Sequence, residues 1–182
     1  MKYAEMVKAH SEGLAVISKF LLKLDDVKVK KSTKRGCDID FSFGAKQRIG
    51  SSKVIVGQHK SENVFVETFV SKLPANTDGR ALVQRSGCLY SSQADFLFFL
   101  NGSLLCIVPL KSFRNWVDRN AISFRSGCEI YWWNGQEIRR HGLLIPIDRI
   151  RRDFAKGNVH VSIYRLKDNP NSDTDIEFVQ EL

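Results

Sequence analysis

The sequence predicts an α/β domain of three layers, with a mixed β-sheet flanked by helices. Three observations point there. The chain opens on an amphipathic helical pattern. Its middle is dominated by short runs that alternate with period two or are rich in β-branched and aromatic residues. From residue 91 onward, helical and strand patterns follow one another.

Residues 2–24 carry Leu14, Ile17, Leu21 and Leu24 at three- and four-residue steps, with Val16 and Phe20 widening the stripe. Asp25 and Asp26 oppose the dipole at a helix C-terminus, so the helix is expected to stop there. Lys28, Lys30, Lys31, Lys34 and Arg35 follow, with Val27 and Val29 interleaved, as an exposed strand or a loop. Residues 37–43 alternate: Ile39, Phe41 and Phe43 on one face, Asp38, Asp40 and Ser42 on the other. A turn is expected over 44–50 and a short strand over 53–56. The run VFVETFV at 64–70 reads as a central strand broken by one carboxylate, Glu67. Pro74, Asp78-Gly79 and Ser86-Gly87 make 73–87 a loop.

Ser91 or Ser92 is expected to cap a helix over 93–100, ended by Asn101-Gly102. A buried strand follows at 103–108, closed by Pro109, then a helix from Ser112 to about Asp118. Further expected elements are a strand at 129–133, a turn at Asn134-Gly135, a strand at 136–140, a helix at 146–154 and a strand at 159–165. The polar stretch 167–175 is expected to be loose. No repeat or linker divides the chain, so one domain over 1–182 is expected.

Lys and Arg number 28 against 20 Asp and Glu, a net charge of +8. That balance favours an anionic partner, nucleic acid first. Cys37, Cys88, Cys106 and Cys128 show no metal-knuckle or redox spacing. With no signal-peptide core and no apolar run near the ~20 residues that cross a bilayer, a reduced cytoplasmic protein without a membrane partner is expected.

Two carboxylates stand against their local pattern. Asp40 lies within a strand, and Glu67 interrupts an otherwise apolar one. A charge so placed needs a cation or an ion-pair partner. If the two strands are neighbours, the pair can share one hard cation such as Mg²⁺ or Mn²⁺. Glu12, on the helical row with Val16 and Phe20, is a third candidate, although a generic helix leaves such a residue in solvent. Asp40 serves equally as an outward strand acid, and Glu67 equally as the partner of a buried Arg. Lys30, Lys31, Lys34, Arg35, Arg149 and Arg152 suit phosphate contacts, each also readable as a solvated cation. One of Trp132 and Trp133 should point outward.

Glu12 on a helix, RGCDIDF at 35–41 and NVFVETFVSK at 63–72 together resemble the PD-(D/E)XK phosphodiesterase superfamily. The segment GCLYSSQADFLFFLNGSLLCIVPL at 87–110 is similar to one in phage-type members. The resemblance spans about 10–118, leaving C-terminal strands and a helix over 119–166 and a tail over 167–182. It implies a restriction-endonuclease-like fold and a Mg²⁺- or Mn²⁺-dependent endonuclease acting on DNA. Asp40 and Glu67 would hold the metal, Asp38 being the register alternative, and Glu12 would assist. The family's lysine belongs two residues after the glutamate, where this chain has Phe69. Lys72 is the nearest substitute, although simple alternation points it away from Glu67. The departure allows a second expectation, a catalytically inactive member that binds DNA or a protein partner. A homodimer is also compatible with the family.

Overall fold

A computed structural model describes residues 3–24, 26–44, 48–57, 63–73, 83–102, 104–156, 161–166 and 178–181. The loose stretch expected at 167–175 lies outside the described residues, as do most of the loop expected at 73–87 and the start of the strand expected at 159–165.

The chain is mixed α/β. Helix α1 (Tyr3–Leu22) precedes strands β1 (Lys28–Lys31), β2 (Ile39–Phe43), β3 (Arg48–Gly57), β4 (Asn63–Leu73) and β5 (Val83–Ser86). A single turn of helix, α2 (Cys88–Ser91), leads to β6 (Phe96–Asn101) and β7 (Leu104–Pro109). Helix α3 (Leu110–Asn120), β8 (Arg125–Trp133), β9 (Gln136–Pro146), α4 (Ile147–Lys156), β10 (Ser162–Leu166) and β11 (Phe178–Glu181) complete it. A seven-stranded sheet has the order β1-β2-β3-β6-β7-β10-β11, and a four-stranded sheet the order β5-β4-β9-β8. The β3–β6 pair is parallel; every other pair among the described residues is antiparallel.

The alternation of β6 and β7 divides the interior. Phe98, Leu100 and Leu105 join Ile17, Phe20 and Leu21 of α1, with Ile39, Phe41 and Val54, on one face of the larger sheet. Leu97, Phe99, Cys106 and Val108 face the other way, toward Phe113 and Trp116 of α3, Ile150 and Phe154 of α4, and Val64, Val66 and Ile145 of the smaller sheet. Gly13 lets α1 lie close on β3: a Cβ there would meet Val56 Cγ2 at 2.3 Å.

The helix expected over 93–100 is instead strand β6. Its FLFFLN run is buried on both faces, and continuous apolarity carries no period to separate helix from strand. Ser91 ends α2 rather than capping a later helix, and Asn101-Gly102 enters the β6–β7 hairpin, Gly102 at φ +58°. Among the described residues no helix is long and apolar enough to cross a membrane.

Candidate functional site

The larger sheet sets one wall of the site. In the β2–β3 ladder Asp40 lies opposite Ser51, and in the β1–β2 ladder opposite Lys30. The Asp40 side chain is buried and accepts a hydrogen bond from Ser32 Oγ at 2.7 Å. Asp38, on the same face, accepts the Val54 backbone N–H at 2.7 Å. Lys53 Nζ stands 3.0 Å from its Oδ2, and His10 Nε2 of α1 stands 3.5 Å from its Oδ1. Burial works to raise the Asp38 pKa, but His10, Lys53 and the Val54 N–H outweigh it and hold the carboxyl below its ordinary value.

The smaller sheet sets the other wall. Glu67 pairs with Gly142 in the β4–β9 ladder, and the register then slips, so that Phe69 pairs with His141. Thr68 is the extra residue of this β-bulge, its hydroxyl donating to the His141 carbonyl at 3.1 Å. Close backbone approach at the bulge requires glycine opposite it: a Cβ on Gly142 would lie 2.3 Å from the Val66 carbonyl oxygen. Glu67 Oε1 accepts the Cys88 N–H at 2.9 Å, and Oε2 accepts Arg140 Nε at 2.5 Å. Arg140 also donates to Glu129 at 3.1 Å, and these carboxylates overcome its desolvation to raise its pKa. Burial, with the nearby Glu67 charge, pushes the Cys88 thiol up to about 11.

Between the walls lies a cleft of about 340 Å³. His10, Lys53, Glu67, Cys88, Tyr131 and Arg140 line it, and the N-terminal half of α1 contributes Tyr3 and Met6. Both of its lining cations are paired with acids: Lys53 with Asp38, which is not itself a lining residue, and Arg140 with Glu67.

This arrangement corrects several expectations. Asp40 and Glu67 are not on neighbouring strands: β2 belongs to the larger sheet and β4 to the smaller. Their separation follows from the crossover after β3, which pairs β3 with β6 and sends β4 elsewhere. Glu12 does not look toward a sheet; its side chain is 66% exposed and pairs with Lys8 at 3.9 Å along the helix. Phe69 does not share a face with Glu67, because the bulge reverses the alternation, and its ring stacks on His141 with centroids 4.2 Å apart. The same bulge brings Lys72 round to the face of Glu67 without a strand end at Ser71. Lys72 is nevertheless set against Ile138, beyond the Arg140 rung, with Nζ 5.2 Å from the Trp133 ring centre. Arg140 is the cation that Glu67 meets. Among the described residues no group of three or more His, Cys, Asp or Glu could hold a metal ion.

The cations divide in two. Lys30, Lys31, Lys34 and Arg35 are exposed on the edge strand β1 and the turn that follows it, where Lys34 Nζ reaches Ser51 Oγ at 3.4 Å. Among the cations of residues 139–156, Arg139 pairs with Glu137, Arg140 with Glu67 and Arg149 with Asp153 at 2.7 Å, while Arg152 is exposed. Sequence reasoning missed Lys53, His10 and Arg140 as site residues. Lys53 had a signal, a charge opening the otherwise apolar run KVIV. Arg140 had none, being one of several arginines in a row. Comparison with family models, with curated proteins and with solved structures gives no match.

Proposed function

We propose that the chain binds nucleic acid on a restriction-endonuclease-like scaffold of the PD-(D/E)XK type, with ion pairs standing where an active member would hold its metal. The observation that carries this reading is that Asp38 and Glu67 are both paired with cations of the cleft lining. Asp38 has Lys53 and His10, and Glu67 has Arg140 and a backbone N–H. A Mg²⁺ ion needs oxygen ligands converging on one point, and these carboxylates belong to separate sheets and already have their charge opposed. The residues present therefore do not fit the metal.

The case for an anionic partner rests on the net charge of +8 and on the exposed row Lys28, Lys30, Lys31, Lys34 and Arg35, which makes no ion pair among the described residues. A second reading, a metal-dependent DNA endonuclease, is favoured by one contact. Lys53 lies beside Asp38 on the adjoining strand and faces the same cleft as Glu67, an acid–lysine proximity that phosphodiester hydrolysis uses.

Fluorescence anisotropy with duplex, branched and single-stranded DNA, alongside cleavage assays in Mg²⁺, Mn²⁺ or EDTA, separates the two. The expected result is EDTA-indifferent binding without cutting. If the row supplies the contacts, log K against log salt should slope at about −4. Lys30→Glu with Lys31→Glu should weaken binding at least about tenfold and flatten that slope. Metal-dependent cutting lost in Asp38→Ala and Glu67→Ala would establish the enzyme instead. Absence of binding at low salt would remove both.

A further inference from the structure

Strand β8 ends the smaller sheet. Among the described residues its one strand partner is β9, so the residues from Arg125 to Trp133 present an unshared row of backbone donors and acceptors. The edge strand β1 of the larger sheet is guarded by exposed Lys28, Lys30 and Lys31, the side chains that discourage strand addition. β8, reading RSGCEIYWW, has neither Lys nor Pro, and its acid, Glu129, is turned back onto Arg140. Instead it exposes apolar surface: Ile130 is 48%, Trp132 61% and Trp133 40% accessible.

We propose that β8 is the docking edge for a second copy of this chain, the two β8 strands pairing antiparallel about Ile130 and joining the two four-stranded sheets into one. A two-fold axis normal to the sheet keeps like faces together, so a residue must sit at the centre. Centring on Glu129 would set two carboxylates directly opposite, which is unfavourable. Centring on Ile130 places Ile130 against Ile130, Glu129 against Tyr131, and Gly127 against Trp133, where the missing side chain leaves room for the indole. It also sets Cys128 against Trp132, a favourable sulfur–aromatic contact.

The area is adequate for a weak dimer. The exposed parts of Ile130, Trp132 and Trp133 amount to roughly 700 Å² over two copies. The backbone edges bring the total toward the ~1,200 Å² at which stable interfaces begin. An association in the micromolar range is expected.

Light scattering and sedimentation over a concentration series test this on the full chain. The wild type should pass from monomer to dimer. Ile130→Lys, at a half-exposed position where two ammonium groups would meet, should weaken association at least about tenfold while leaving the circular dichroism and thermal melt unchanged. Opposed Cα atoms in an antiparallel pair lie ~4.5–5.5 Å apart, within disulfide reach. Ile130→Cys in a Cys128→Ser background should therefore oxidise to a covalent dimer. A chain that stays monomeric up to the ~100 μM range overturns the proposal. So does a dimer indifferent to Ile130→Lys, or one that crosslinks through Cys128 in the wild type but not through position 130.

Discussion

Lys53 Nζ lies 3.0 Å from the Asp38 carboxylate, with His10 Nε2 3.5 Å away on its other oxygen. Because Asp38 is held below its ordinary value in the folded protein, the unfolded chain binds the proton more readily. The stability contributed is complete above the unfolded value of about 3.9 and is lost as pH falls through the lower folded value. Asp38→Asn should therefore be less stable than wild type at neutral pH, and the two should converge below pH ~4. Urea midpoints measured across acid pH check this; parallel acid profiles for the two proteins would show that the pair does not set the pKa.

The Glu67–Arg140 pair is mostly enclosed, at 13% and 20% side-chain exposure. Removing the acid alone strands a guanidinium with Glu129 as its remaining carboxylate. Glu67→Ala should cost about 2–4 kcal/mol in urea denaturation, and Glu67→Leu with Arg140→Met should recover a substantial part. If the single and double variants lose stability additively, the two side chains are not coupled.

The four cysteines should differ sharply toward a thiol reagent. Cys128 is exposed, whereas burial pushes Cys106 up to about 12, and burial with the Glu67 charge pushes Cys88 up to about 11. At neutral pH Cys128 should react first and Cys37, half-buried, more slowly. Cys88, partly accessible on the cleft wall, should react more slowly still because its thiol stays protonated, and Cys106 should wait for unfolding. Rapid labelling of Cys88, located by peptide mapping, would show that its thiol is not held protonated.

Gly142 lies across from Glu67, where a Cβ would meet the Val66 carbonyl oxygen at 2.3 Å and the Phe65 ring at 2.9 Å. Gly142→Ala should destabilise by about 1–3 kcal/mol, since the near neighbour is backbone and cannot swing aside. A variant as stable as wild type by thermal melt would show that the bulge yields easily.

Much of the architecture is legible in local pattern. The amphipathic row of α1, the alternation of β2 and the Asn134-Gly135 turn all lie within a few residues of one another, and local sequence encodes them. β6 is not legible, because a segment apolar on both faces has lost the periodicity that would identify it. The site is less legible still. Glu67 is conspicuous as an acid in an apolar run, yet its partner Arg140 comes from a strand 73 residues away. Asp38 and Asp40 cannot be ranked by alternation, since both point the same way. The contact with Lys53 ties Asp38, rather than Asp40, to the cleft lining, and that contact depends on strand register.

The extra residue at Thr68 introduces a phase change within β4. Before it, odd-numbered residues take the face of Glu67; after it, even-numbered ones do, so Glu67, Val70 and Lys72 share one side and Val66, Phe69 and Ser71 the other. A hydrophobic run that looks uniform thus serves two surfaces, with no punctuation in its lettering. Removing Thr68 would leave the downstream sides as they are; a strand that kept Thr68 but lost the bulge would exchange them, putting an aromatic ring and a hydroxyl where Val70 and Lys72 now stand.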